Sequence, residues 1–179
     1  MRKLMRIKKI CLLFLVLIIC LFGMISLAID QDKKDEHTSV VLHWLPYHQG
    51  LAKSQIENKP TIIYFYSEQC ILCNKFEDET FIDKKVREYL AKNYSLVRVE
   101  YNSSDIIIEA GEEIKESQLF NLYQIEIIPT IWFLDSDNQH ITALQGYVSP
   151  EVFIEALHYI KGQFYKNYTF QEYMDDKNK

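Results

Sequence analysis

A cysteine pair that directly follows a short apolar run constrains this chain more than any other feature. The run Thr61–Tyr66 consists almost entirely of β-branched and aromatic residues, which is typical of a strand buried on both faces. Cys70 and Cys73 come next, separated by Ile71 and Leu72 and followed by a helical sequence. The pattern predicts two cysteines at the carboxyl end of a buried strand and at the start of a helix.

The first 29 residues have the composition of an export signal. Five basic residues precede Ile10, and about twenty uncharged, mostly apolar residues extend to Ile29. This run is close to the length that spans a bilayer, and Ser26–Ala28 supplies the small residues that a signal peptidase needs. Cleavage after Ala28 and retention as an inner-membrane anchor are both open. We expect the remainder to be periplasmic or otherwise extracytoplasmic.

The charge and the cysteine count of the exported part narrow its function. The whole chain is formally −5 and residues 1–28 contribute +5, which leaves −10 for the rest. This balance disfavours nucleic acid and anionic membrane surfaces as partners. Cys11 and Cys20 lie in the apolar segment, so Cys70 and Cys73 are the exported cysteines. A bridge between them closes a very short loop and contributes little to stability.

The exported part is predicted to consist of three regions. These are a spacer (residues 30–43), one domain (residues 44–162) and an aromatic extension (residues 163–179) that docks on the domain. Helices alternate with strands before a two-stranded hairpin, which predicts an α/β fold with a central mixed sheet flanked by helices. The predicted helices are Tyr47–Asn58, Phe81–Asn93, Glu116–Tyr123 and one from Pro150 to about Gly162. The predicted strands are Thr61–Tyr66, Ser95–Tyr101, Thr130–Leu134 and His140–Leu144, with a loop at 102–114.

The position of the pair suits thiol–disulfide exchange. At the first turn of a helix, free backbone N–H groups and the helix dipole favour the thiolate of Cys70, whereas Cys73 lies one turn further in. Cys70 is therefore the candidate for attack on a substrate disulfide, and Cys73 for resolving the mixed disulfide. No cofactor beyond this redox-active pair is expected.

Two other interpretations stay open for the pair. A zinc site needs two further ligands, and the exported histidines (His37, His43, His48, His140 and His158) are scattered without ligand spacing, so no metal residues are assigned. Inert buried thiols are the other alternative.

A second signal lies about sixty residues downstream. Pro129 follows Ile128 at the first edge of the predicted strand Thr130–Leu134, where a proline is tolerated and a cis peptide bond is plausible. An ordinary trans proline at a strand start is the alternative.

Together these motifs resemble thioredoxin-fold proteins over Trp44–Tyr173, and more narrowly the exported SoxW-like thioredoxins and the carboxyl-terminal domain of DsbD-type reductases. The resemblance implies that Cys70 attacks, that Cys73 resolves, and that Pro129 is a cis proline facing the pair. It also implies that the backbone of Ile128 pairs with an extended substrate segment.

The chain departs from ordinary thioredoxin at two positions near the pair. Gln69 stands where thioredoxin has tryptophan, and Tyr64 stands in place of the buried aspartate that helps to deprotonate the second cysteine. The base that deprotonates Cys73 is therefore not assigned, and Glu68 and water are the two candidates.

The dipeptide between the cysteines bears on the direction of electron flow. Ile71 and Leu72 carry no charge or donor to stabilise the thiolate, which favours a reductase over an oxidase or isomerase, and we expect both to contact substrate. The resemblance implies a monomer that reduces protein disulfides and is itself reduced by a membrane carrier of the DsbD or CcdA type. A copper-delivery module of the same fold is the alternative from another class.

Overall fold

The computed structural model describes residues 40–177. The predicted signal or anchor, and most of the predicted spacer, lie outside this part of the chain. The helices are α1 (Tyr47–Glu57), α2 (Ile71–Lys75), α3 (Lys84–Asn93), α4 (Leu119–Leu122), α5 (Pro150–Lys161) and α6 (Phe170–Lys177). The strands are β1 (Thr61–Tyr66), β2 (Ser95–Glu100), β3 (Ile106–Glu109), β4 (Glu112–Lys115), β5 (Thr130–Leu134) and β6 (His140–Gln145). Within residues 40–177, no helix is both long and apolar enough to span a bilayer.

The main sheet has the strand order β2-β1-β5-β6, which confirms the predicted central mixed sheet. β1 and β2 are parallel, and β5 and β6 form the predicted antiparallel hairpin. β5 is antiparallel to β1, although a helix lies between β2 and β5. The reason is that α4 has only four residues and does not carry the chain back along the sheet. β5 therefore starts at the edge where β1 ends, with Thr130 beside Phe65.

Two apolar cores lie on the two faces of the sheet. Ile62 and Tyr64 of β1 point into a core built with the aromatic residues between α2 and α3 and with α5. Ile63 and Phe65 point into a second core shared with α1 and α4. Thr61 to Phe65 are all buried, as the continuous apolar run predicted. The strand that leads to the cysteines is therefore fixed from both sides.

The predicted loop at 102–114 is instead a second hairpin, formed by β3 and β4. Ala110 and Gly111 form its two-residue turn with positive φ angles of 52° and 88°, which such a turn requires. Ile107 packs against the core on the α1 side. The hairpin starts at the carboxyl end of β2, at the same edge of the sheet as the cysteine pair.

The helical stretch after the cysteines changes its winding. α2 continues into a π-helical segment, Phe76–Phe81, before Asp83 caps α3 by accepting a hydrogen bond from the backbone N–H of Val86. Phe76, Thr80 and Phe81 of this segment are buried. The wider turn thus brings two aromatic rings against Tyr64, with ring centroids 6.0 and 5.1 Å away.

The aromatic extension packs along α5. The Tyr159 hydroxyl donates to the carbonyl oxygen of Tyr168, and its ring contacts those of Phe170 and Tyr173. Thr169 and Glu172 form a capping box at the start of α6.

Candidate active site

The turn after β1 places Cys70 at the start of a helix. The backbone N–H of Cys70 donates to the Ser67 carbonyl oxygen at 3.0 Å, which closes a tight turn after the strand. Cys70 has an extended backbone and is the N-cap of α2. Its sulfur therefore faces the unpaired N–H groups of the first helical turn, as the sequence predicted.

The two cysteines form a disulfide across one turn of α2, with Cα atoms 5.1 Å apart. The backbone N–H of Cys73 donates to Cys70 Sγ at 3.1 Å. Cys73 is completely buried, whereas Cys70 is partly exposed. A partner can therefore reach Cys70 and not Cys73, and the same N–H group is in place to stabilise a thiolate on Cys70.

The start of β5 lies directly opposite Cys70. The Ile128–Pro129 peptide bond is cis, and the carbonyl oxygen of Ile128 lies 3.8 Å from Cys70 Sγ. The Pro129 carbonyl oxygen accepts a hydrogen bond of 2.7 Å from the backbone N–H of Gly146. The antiparallel direction of β5 produces this arrangement, because it brings the beginning of β5 to the end of β1.

Large, exposed apolar side chains lie on both sides of the partly exposed Cys70. Ile71 is 82% exposed and Leu72 is 47% exposed, although both lie between the two cysteines. Across the site Ile127 is 52% exposed. Exposed apolar residues grouped around a reactive atom mark a contact surface.

On the core side of the pair, the Tyr64 hydroxyl donates to the carbonyl oxygen of Cys73 at 3.3 Å. Burial raises the pKa of Tyr64 far above its usual value, and the charge of Glu77 adds to this effect. Tyr64 therefore stays neutral at any physiological pH. It fills the place of the missing aspartate without supplying a base.

A carboxyl group lies beside Tyr64 after all, contributed by the π-helical segment. Glu77 lines the same cleft as Tyr64, and its charge acts on the Tyr64 hydroxyl. Burial raises the pKa of the Glu77 carboxyl, and the charges of Asp78 and Glu68 add to the increase. The positive charge of Arg98 opposes it.

An open cleft connects this carboxyl group to solvent. The cleft has a volume of about 180 Å³ and is lined by Trp44, Tyr64, Glu77, Phe81 and Arg98. Glu68, one of the two candidates for assisting Cys73, is exposed on the turn before Cys70. Its charge acts on Glu77 and on Tyr66, so it lies on the same flank of the pair.

Comparison with known proteins agrees with this geometry. A family profile described as a thioredoxin-like domain matches residues 47–161, more than half of the chain. The chain belongs to the thioredoxin-like domain family. The thiol:disulfide interchange protein DsbD of Yersinia pestis (strain Pestoides F) is 30% identical over 115 residues, which cover 63% of this chain and 18% of DsbD. The chain thus matches less than a fifth of the length of that relative.

Solved structures show the same architecture. This thioredoxin-like domain is similar to the DsbH oxidoreductase, with a TM-score of 0.58, 16% identity, and coverage of 72% of this chain and 90% of the other. It is also similar to a thioredoxin from Thermus thermophilus, with a TM-score of 0.55, 23% identity, and coverage of 66% and 86%. At these identities the likeness shows the fold alone.

The structure thus places the predicted cysteines and the Ile128–Pro129 pair of the thioredoxin-like domain within one site. Sequence reasoning missed Glu77, Arg98 and Trp44. Glu77 carried a local signal, because it follows Cys73 by four residues and so projects from nearly the same helix face. Among residues 40–177, no three histidine, cysteine, aspartate or glutamate side chains lie close enough together to hold a metal ion.

Proposed function

We propose that this protein is an extracytoplasmic thiol–disulfide oxidoreductase that reduces disulfides in partner proteins. The observation that carries the proposal is the asymmetry of the pair: Cys70 is accessible and receives the Cys73 N–H group, whereas Cys73 is completely buried. Such asymmetry suits a nucleophile and a resolving thiol.

The reaction begins with both cysteines reduced. The Cys70 thiolate attacks one sulfur of the substrate disulfide, so a mixed disulfide forms and the first substrate thiolate leaves. Cys73 then loses its proton and attacks Cys70 Sγ. The Cys70–Cys73 bond forms, the second substrate thiol is released, and the substrate has gained two electrons. The backbone of Ile128, next to Cys70 Sγ, pairs with the extended substrate segment during attack.

Glu77 is our candidate for assisting the loss of the proton from Cys73. Glu77 follows Cys73 by four residues, and its carboxyl group acts electrostatically on Tyr64 and lines a cleft that is open to solvent. A carboxyl group whose pKa is raised is better suited to proton transfer near neutral pH than an ordinary surface carboxylate. Glu68 and water remain the assignments that the sequence suggested.

The direction of electron flow follows from the dipeptide. Ile71 and Leu72 bring no positive charge to the thiolate of Cys70, so reduced Cys70 is not strongly stabilised and the disulfide is a weak oxidant. The apolar surface of Ile71, Leu72, Ile128 and Pro129 provides the contact with substrate. In this proposal the protein acts as a monomer outside the cytoplasm and is re-reduced by a membrane carrier of the DsbD or CcdA type.

The reduction potential of the Cys70–Cys73 couple, measured against glutathione or dithiothreitol, tests this proposal. We expect a value near that of thioredoxin, about −270 mV, together with reduction of insulin. A value near that of DsbA, about −120 mV, would overturn the reductase assignment. Stoichiometric copper in protein purified under reducing conditions, without insulin reduction, would instead favour a metal-delivery module.

A further inference from the structure

Tyr147 lies at a junction between the two halves of the site. It follows Gly146, whose backbone N–H donates to the Pro129 carbonyl oxygen at 2.7 Å. The segment 146–148 is therefore attached to the strand start that faces Cys70. This hydrogen bond couples the position of the segment to that of Pro129, which follows the Ile128 carbonyl group.

Tyr147 is also attached to the helical stretch that carries the cysteines. Its hydroxyl donates to the Glu79 carboxylate, and the Lys75 ammonium group lies over its ring, 4.2 Å from the centroid. Lys75 and Glu79 are 4.0 Å apart, so the two charges hold the ring from its face and from its hydroxyl end. The ring also makes an edge contact with Phe76, with centroids 6.1 Å apart.

A second hydrogen bond strengthens this attachment. The Thr80 hydroxyl, which is buried, donates to the Val148 carbonyl oxygen at 2.8 Å. Residues 75–80 belong to the helical stretch that carries Cys73, and Gly146, the neighbour of Tyr147, is hydrogen-bonded to Pro129. The contacts of Tyr147 and Val148 therefore join the element with the nucleophile to the element that receives the substrate.

We propose that Tyr147 is a positioning residue of thiol–disulfide exchange, which fixes the Ile128–Pro129 strand start relative to Cys70 when a protein substrate binds. The inference rests on the proposed function and deepens it. A substrate segment that pairs with Ile128 places its disulfide at Cys70 only if the distance between Ile128 and Cys70, 3.8 Å from oxygen to sulfur, is maintained. A small disulfide reaches Cys70 without pairing to the backbone and does not need this alignment.

Four variants test the role of Tyr147. Tyr147→Phe keeps the ring but removes the hydrogen bond to Glu79, and Glu79→Ala removes the same bond from the other side. Glu79→Gln keeps an acceptor and is the conservative rescue. Tyr168→Phe is the matched control, because Tyr168 is an exposed tyrosine on the C-terminal extension.

Each reduced variant is mixed with insulin and, separately, with 5,5′-dithiobis(2-nitrobenzoic acid), and both second-order rate constants are measured. We expect Tyr147→Phe and Glu79→Ala to lower the rate with insulin about three- to tenfold, as for the loss of one hydrogen bond. The rate with the small disulfide, the reduction potential and the control variant should match wild type, and Glu79→Gln should lie close to it.

Any of three results would overturn the proposal. Equal losses with both disulfides, or a shifted potential, would mean that Tyr147 acts on the cysteines themselves; unchanged rates with insulin would mean that the contacts do not position the strand start. If wild-type protein reduced neither disulfide, the proposed function would fail, and this result is distinct from either outcome for Tyr147.

Discussion

The two sides of the cysteine pair differ in their exposure to solvent and in the groups that contact them. On the solvent side, Cys70 is followed by Ile71 and Leu72, whose side chains are exposed to solvent. On the core side, Cys73 is buried among aromatic rings, and its carbonyl group receives the hydroxyl of Tyr64. The solvent side therefore determines which partners can reach the site, and the core side determines how the site is held in place.

The largest expected effect separates the two sulfurs. Cys70→Ser should lower the rate of insulin reduction by at least about 1000-fold, because the nucleophile is lost. In the Cys73→Ser protein, Cys70 should still attack the substrate disulfide, and the mixed disulfide should accumulate because the resolving thiol is missing. Mass spectrometry of the Cys73→Ser protein after mixing with insulin checks this. A mixed disulfide that forms on Cys73 in the Cys70→Ser protein would reverse the assigned roles.

Stability should respond on the core side and hardly at all on the solvent side. Phe76 is completely buried against Tyr64, Phe81 and Phe153. Phe76→Ala should lower the free energy of unfolding by about 3–5 kcal/mol, since it leaves a cavity. Ile71→Ala should change it by less than about 0.5 kcal/mol, as at other surface positions. Urea unfolding of both variants measures the contrast, and similar losses would mean that Ile71 is part of the core.

A charge introduced on the solvent side should shift the potential without affecting the fold. Leu72→His places an imidazolium beside the Cys70 thiolate and should raise the reduction potential by roughly 30 mV, equivalent to about one pKa unit on the thiol. Equilibration with glutathione measures it. Leu72→Gln is the neutral control, and an equal shift in both variants would exclude a charge effect.

The smallest effect concerns Glu77 on the core side. Its folded pKa is raised, so the native state binds the proton more tightly than the unfolded chain does, and Glu77 makes the protein less stable as the pH rises through that pKa. Glu77→Gln should therefore be more stable than wild type at pH 7, and the gain should disappear below about pH 4.5. Thermal unfolding at both pH values measures this. Glu113→Gln, at an exposed position of β4, should show no such gain.

The sequence predicted the elements whose signals are local and strong. The continuous burial of Thr61–Phe65 and the helix beginning at Pro150 both follow from composition and spacing, and the structure has both of them. The hairpin of β3 and β4 escaped prediction because its strands have only four residues each and three of these eight residues are acidic. Its stability depends on the packing of Ile107 against a distant core, which sequence spacing does not reveal.

The site was predictable where it depends on neighbours in sequence and was not where it depends on contacts between elements. The cysteines and the Ile128–Pro129 pair carry recognisable motifs. Arg98 and Trp44 come to Tyr64 from two other parts of the chain, and the antiparallel direction of β5 depends on the shortness of α4. Such features result from the packing of the whole domain.

Tyr64 stands in the core strand where thioredoxin has a buried acid, and this difference affects how proton uptake would be coupled to the binding of a partner. A fully buried acid would exchange its proton without contact with a docked protein. Tyr64 does not titrate in the physiological range, and the neighbouring carboxyl group, that of Glu77, lines a cleft open to solvent. A docked protein that covers this cleft would remove water from Glu77 and raise its pKa further. Partner binding would then draw a proton from solution, and the affinity of the complex would decrease with increasing pH.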